Sequence, residues 1–154
     1  TWADVQLINE IYENKSLSFL KLMGETLPYI SFDSKYKIIY MVVTYDQIKR
    51  ANSSYEEASM LIDYIRGTEN SDIAFLFIEG YDNVRIKARS KQTNVSEILN
   101  FFDGGGHPTA ASAIIYDDDI YKIIELVLYQ TKEKIDKIKN ERVTINGEEM
   151  EYTK

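Results

Sequence analysis

Asp103-Gly104-Gly105-Gly106-His107-Pro108-Thr109-Ala110-Ala111-Ser112-Ala113 sets three consecutive glycines against the chain's only histidine and one of its two prolines. Such a run is costly to order, because glycine loses more backbone freedom on folding than any other residue. Its use is close approach. Without Cβ atoms the glycines reach positive φ and can turn successive N–H groups toward an anion. Pro108 fits the first position of a helical turn, where its missing N–H is no loss, and the small residues after it let such a turn pack tightly. Free amides at a helix start, beside an imidazole, suit a phosphate. The plainer alternative is a helix C-cap in a loop, for which one glycine suffices.

His107 by itself has two readings, a packing residue or a group facing a ligand. A residue before proline is biased toward extended geometry, which turns the imidazole toward the concavity of the loop. There it can donate to a phosphate oxygen or stabilise developing charge, with proton donation as a further role.

Upstream of the glycines, Asn94 caps a helix marked by Val95, Ile98, Leu99 and Phe102 at i, i+3, i+4 and i+7. Before it, a strand alternates strictly, with Val84, Ile86 and Ala88 inward and Arg85, Lys87, Arg89 and Lys91 outward. A turn at Gly80 to Asn83 joins it to the apolar strand 73–79, IAFLFIE. Ser54-Tyr55-Glu56-Glu57 has the form of a capping box, and Ala58, Leu61, Ile62 and Ile65 follow at helical spacing up to Gly67. Residues 37–44, KIIYMVVT, read as a central strand covered on both faces. Residues 2–23 read as one or two amphipathic helices, with Leu7, Ile8 and Ile11 on one stripe, Leu17, Leu20 and Met23 on another, and Gly24 as the stop.

Downstream, Ser112 to Tyr116 gives a fourth strand. Asp117, Asp118 and Asp119 then precede a long helix whose stripe is Ile120, Ile124, Val127, Ile135 and Ile138, with Lys132, Lys134, Lys137 and Lys139 toward its far end. Acid at the start and base at the finish complement the helix dipole, which favours capping over metal binding. Residues 142–154 hold a candidate strand, VTIN, and a turn at Asn146-Gly147, the start of a hairpin or the entry to another domain. The class is α/β: a mixed β-sheet of four or five strands with helices on its faces, preceded by N-terminal connector helices.

From the glycines back to residue 37, the order of elements resembles the C-terminal, substrate-binding (DHH-associated) domain of the DHH phosphoesterases. NVRIKARSK (83–91) is similar to that family's strand ending in Arg-Ser, NVSEILNFF (94–102) to its short helix, and GGGHPTAASA (104–113) to its glycine-histidine signature. Many members carry a fourth glycine where this chain has Asp103, whose carboxylate would repel a phosphate or cap the loop. The resemblance implies residues 1–36 as a helical connector to a separate catalytic domain, 37–140 as the substrate-binding domain and 141–154 as a tail or linker. It implies a substrate-binding set of Arg89, Ser90, Gly104, Gly105, Gly106, His107 and Thr109, supported electrostatically by Arg85, Lys87 and Lys91. A planar guanidinium at Arg89 can hold a phosphate with two parallel hydrogen bonds. In the family, manganese in the catalytic domain activates water, so no cofactor is expected in this stretch, and only His107 among its residues is a catalytic candidate. The implied partners are a phosphate-containing small substrate or short single-stranded nucleic acid, with polyphosphate as a further substrate class, and the catalytic domain of the same chain. The resemblance takes in nanoRNase, RecJ-like and exopolyphosphatase-related members, and HPTAASA leans toward members fused to CBS and tRNA-nucleotidyltransferase domains. Two alternatives remain: a non-catalytic module such as the tRNA-binding C-terminal domain of alanyl-tRNA synthetase, where arginine commonly replaces the histidine, and a regulatory nucleotide sensor.

Composition narrows the classes further. The 154 residues are 44% hydrophobic with no apolar run of membrane-span length, so no membrane partner is expected. Zero cysteines exclude disulfides, thiolate-bound zinc and thiol nucleophiles, and make a cytoplasmic setting the default. One histidine leaves no histidine-rich metal centre. The net charge of −7 opposes broad coating of nucleic acid, so any anion site is local. A homodimer is compatible with this reading.

Overall fold

The computed structural model describes residues 1–6, 15–117 and 119–152, with side chains through residue 144. The stripe Leu7, Ile8 and Ile11, and Asp118, lie outside the described residues. Six strands form one sheet: β1 (Ser31–Asp33), β2 (Ile38–Val43), β3 (Ile73–Glu79), β4 (Val84–Ser90), β5 (Gly105–His107) and β6 (Ala110–Ile115), in the order β1-β2-β3-β4-β6-β5. β2 and β3 run parallel and every other neighbouring pair antiparallel. The helices are α1 (Leu17–Thr26), α2 (Tyr45–Arg50), α3 (Tyr55–Ser59), α4 (Ile62–Ile65), α5 (Val95–Asn100) and α6 (Ile120–Tyr152).

Each face of the sheet buries its own cluster. On one, Ile73, Phe75 and Phe77 of β3 and Val84, Ile86 and Ala88 of β4 meet Val95, Ile98 and Leu99 of α5 and Ile120, Ile123, Ile124 and Val127 of α6. On the other, Ile39, Met41 and Val43 of β2 and Ala74, Leu76 and Ile78 of β3 meet Phe19 and Leu22 of α1 and Ala58, Leu61, Ile62 and Ile65 around α3 and α4. Each large apolar side chain so buried contributes about 1.5–3 kcal/mol. The unbroken apolar run of β3 follows from double coverage, and the alternation of β4 from coverage on one face only. That half-covered strand positions the site.

Several local expectations change. The mixed sheet has six strands instead of four or five, because residues 31–33 add an edge strand within the stretch read as connector and the glycine run adds another. Gly24 does not stop α1, which runs to Thr26 before a 3-10 turn containing Pro28. A lone glycine costs a helix only about 1 kcal/mol, less than the burial of Phe19 and Leu22 returns. The helix expected over 55–65 is two short ones, broken at Met60 and Leu61, although its apolar positions are buried as expected. The strand VTIN and the turn at Asn146-Gly147 are absent: α6 continues through Tyr152, since a helix already nucleated gains one hydrogen bond for each residue it adds. Lys132, Lys134, Lys137 and Lys139 therefore sit in mid-helix, where Lys132 pairs with Asp33 at 3.2 Å and Lys134 with Glu97. At the start of α6, Asp119 Oδ1 accepts from the Lys122 amide at 3.1 Å and Asp117 Oδ1 from the Asp119 amide at 3.0 Å, the geometry of a cap.

Ser54 caps α3 through the Glu57 amide, but Glu57 does not return the bond. Its carboxylate accepts from Ser16, from Ser18 at 2.7 Å and from Ser53 at 3.1 Å, tying α1 to α3. A reciprocal capping box stands instead at Thr44 and Gln47. The Ser16 hydroxyl first, then burial acting the opposite way and the Ser18 and Ser53 hydroxyls, leave the Glu57 carboxyl below the ordinary glutamate range. A depressed folded value means that this group's stabilisation is fully present above the unfolded pKa and drains away as pH falls through the folded one. Urea midpoints measured from neutral to acid pH should therefore fall less steeply in Glu57→Gln than in the unsubstituted chain; parallel curves would show that the serine cluster does not stabilise the charge.

Candidate functional site

The glycine run forms no loop leading into a helix. Gly105, Gly106 and His107 are strand β5, paired with Ser112, Ala111 and Ala110 across a tight turn at Pro108 and Thr109. The helical turn expected after Pro108, and its N-terminal amides, are therefore absent. Hairpin pairing satisfies backbone groups that a helix start would leave open, and α5 takes others: the Val95 amide donates to Pro108 O at 2.8 Å and the Ser96 hydroxyl to Gly106 O at 3.0 Å. Asp103 ends α5 in the left-handed region at φ 59°, with the Gly104 amide reaching back to Leu99 O at 2.9 Å. The residue in place of a fourth glycine is thus a helix-terminating position, which aspartate tolerates better than most side chains.

Gly104 and Gly106 are required for space. A Cβ on Gly104 would meet Ser112 O at 2.4 Å and the Ala113 Cβ at 2.5 Å; one on Gly106, at φ 146°, would meet Ala110 O at 2.7 Å. Gly105 has room, its nearest neighbour being Ser96 Oγ at 3.9 Å.

Register brings the polar residues together. Ala74, Arg89, Ala110 and His107 are successive partners across β3, β4, β6 and β5, so their side chains share one face; Leu76, Lys87, Ser112 and Gly105 form the next row. Helices α3 and α4 cover this face over β2 and β3, whereas over β6 and β5 Ser112, Ile114 and His107 are exposed. Along β4, Arg89, Lys87 and Arg85 stand two residues apart, roughly 6.6–6.8 Å.

These groups are not equally available. The Arg85 guanidinium carbon lies over the Tyr55 ring, 4.0 Å from its centre. Lys87 is half-buried with Nζ donating to Ser59 O at 3.4 Å, and burial first, then the positive charge of Arg89, lowers its pKa against a smaller opposing pull from Asp63. An anion on the face would relieve that ammonium. Arg89 donates from one guanidinium nitrogen to Ala88 O at 2.9 Å and lines a cavity of about 300 Å³ with Arg66, Gly67, Ala74, Thr109 and Ala110. Lys91 is beyond the strand, with Nζ donating to Thr68 O at 3.2 Å. Ser90 points to the other face, where its hydroxyl donates to Thr93 O while its amide donates to Thr109 O at 3.1 Å. That serine fastens the hairpin to β4.

His107 is held by Thr109. The Thr109 amide, which can only donate, reaches His107 Nδ1 at 3.2 Å, and the Thr109 hydroxyl lies 3.1 Å from the same atom. Nδ1 is therefore the acceptor, and the neutral ring carries its proton on Nε2 as a donor.

Two residues escaped sequence reasoning. Asp72 accepts from the amides of Lys91 at 3.0 Å, Gln92 at 2.8 Å and Thr93 at 3.3 Å, and from the Thr93 hydroxyl, fixing the turn that follows Arg89. Arg66 joins Arg89 in its cavity, and an arginine before a glycine at a helix end carries no distinctive signal. Among the described residues, no three His, Asp or Glu side chains gather as metal ligands.

A family model described as the DHHA1 domain matches residues 35–133. The chain is 29% identical over 118 residues to the bifunctional oligoribonuclease and PAP phosphatase NrnA of Bacillus subtilis, covering 77% of this chain and 37% of that protein. The chain thus spans little more than a third of the length of that curated relative. Among solved structures, an exopolyphosphatase-related protein from Bacteroides fragilis superposes with a TM-score of 0.77 at 17% identity, over 84% of this chain and 38% of the other. The pGpG-specific phosphodiesterase PggH from Vibrio cholerae superposes with a TM-score of 0.51 at 16% identity, over 84% and 43%. At these identities the structural likeness shows a shared fold.

Proposed function

The chain belongs to the DHHA1 domain family, and from that premise we propose that it is the substrate-holding domain of a DHH-type phosphoesterase acting on short oligonucleotides, small phosphorylated nucleotides or polyphosphate. The observation that carries this reading is the row Arg89, Ala110, His107, which puts a guanidinium and an imidazole with a fixed tautomer on one face, separated by a residue no larger than alanine. Arg89 would hold two oxygens of a phosphoryl group, and His107 Nε2 would donate to a third. Ala110 and Gly105 leave the backbone open to close approach. Relatives that act on oligoribonucleotides and nucleotides support this assignment.

A DHH-type phosphoesterase would hydrolyse its substrate at a metal centre, and among the described residues no three His, Asp or Glu side chains gather to hold one. We assign manganese, and the water it would activate, to a separate catalytic domain of such a phosphoesterase. The role of this domain is to bind and orient the substrate. We place that work in the cytoplasm, where such nucleotides are made, with a homodimer as an open assembly.

Amide NMR spectra recorded while a 5′-phosphorylated dinucleotide is added test the assignment. Shifts should concentrate on His107, Thr109, Ala110 and Ser112 and on the Arg89 guanidinium. Shifts confined to other faces, or none at millimolar ligand, would refute it.

A further inference from the structure

A second cavity, of about 440 Å³, shares Lys91 and Asp72 with the Arg89 cavity and opens toward the turn before β2 and the middle of α6. Its wall carries five cations, Lys35, Lys37, Lys91, Lys139 and Arg142, against a single carboxylate, Asp72. That carboxylate is already engaged by the 91–93 turn. Two neighbouring acids are engaged as well: Asp33 by the amides of Lys35 and Tyr36 and by Lys132, Asp136 by the Tyr36 hydroxyl at 2.9 Å. Lys35, Lys132 and Lys139 also stand 5.1, 5.3 and 5.9 Å from the centre of the Tyr36 ring. In a chain of 25 acidic and 18 basic residues, five cations around one cavity against one lining carboxylate repel one another. An anion in the cavity would offset that repulsion.

We propose that this cavity is a second anion site, which takes the phosphate backbone of a single-stranded nucleic acid whose end lies at Arg89. Five cations suit several phosphates better than one, and the shared Lys91 and Asp72 set the two cavities side by side. The anion site stands on its own residues; that the anion is the rest of a strand held at Arg89 rests on the reading given above.

The test compares a labelled dinucleotide with a labelled octanucleotide of RNA, across a salt series, on the chain as it stands and on Lys35→Gln/Lys139→Gln/Arg142→Gln, three exposed side chains outside the Arg89 face. On the unsubstituted chain the octanucleotide should bind about tenfold tighter at low salt. The triple substitution should abolish that advantage, leave dinucleotide affinity unchanged and lower the salt slope for the octanucleotide by about 2, since each single-strand phosphate contact contributes roughly 0.7. Arg142→Gln alone should lower the slope by about a third of that. Equal affinity for the two lengths, or a length advantage that survives the triple substitution, overturns the proposal. So does inorganic polyphosphate that binds where the octanucleotide does not. If Arg89→Ala leaves the dinucleotide bound while the triple substitution still removes the length advantage, the second site stands and the Arg89 reading falls.

Discussion

Arg89→Ala lowers the affinity of the chain for a short oligonucleotide about ten- to a hundredfold, the equivalent of one lost charge-assisted contact at about 1.5–3 kcal/mol. His107→Ala falls in the same range, because both groups are presented to one row of the sheet and neither belongs to the buried clusters. The urea midpoint should stay nearly unchanged in both. Arg89→Lys keeps the charge and loses the fork, so its affinity should lie between. Arg85→Ala is the control: its guanidinium is committed to the Tyr55 ring, so it should cost about 0.5–1 kcal/mol of stability and little binding. Titration calorimetry alongside urea unfolding separates these effects. Were His107→Ala to unfold the chain while the folded fraction bound as before, the imidazole would be a packing group and the row would lose its meaning.

Gly104→Ala should destabilise the fold by about 3 kcal/mol, the upper part of the range for overpacking a rigid site. Its added methyl meets a carbonyl oxygen and a Cβ of β6, neither of which can swing aside as the end of a long side chain would. Gly106→Ala should cost about 1–3 kcal/mol through its positive φ and its contact with Ala110 O. Gly105→Ala should stay within about 0.5 kcal/mol, since nothing stands closer than Ser96 Oγ. Urea midpoints at unchanged m-value give the ranking. Three equal losses would mean that the run is constrained by composition and not by these approaches.

Strands β3 and β4 and helix α5 were legible because each carries a strong pattern: an unbroken apolar run, strict alternation, and a capped 3.6-residue stripe. Strand β5 was not, since three residues of glycine and histidine have almost no strand propensity and owe their conformation to pairing with β6. The same limit hid the site's layout. Arg89 and His107 could each be singled out from their neighbours, but their shared row depends on register between β4, β6 and β5, a long-range property. The steric ranking of the three glycines likewise needs the atoms of Ser112, Ala113 and Ala110. The extension of α6 through Gly147 was masked by a dipeptide that usually marks a turn.

Both margins of the sheet are three residues long, β1 on one side and β5 on the other. A long, flat, apolar margin invites another chain to add a strand, which is how crowded proteins begin to form fibres. Here the margin beside the candidate site is Gly105, Gly106 and His107, followed at once by a proline that cannot donate to a growing ladder. The bareness that would let a ligand approach therefore also makes this border a poor template for edge-to-edge strand addition.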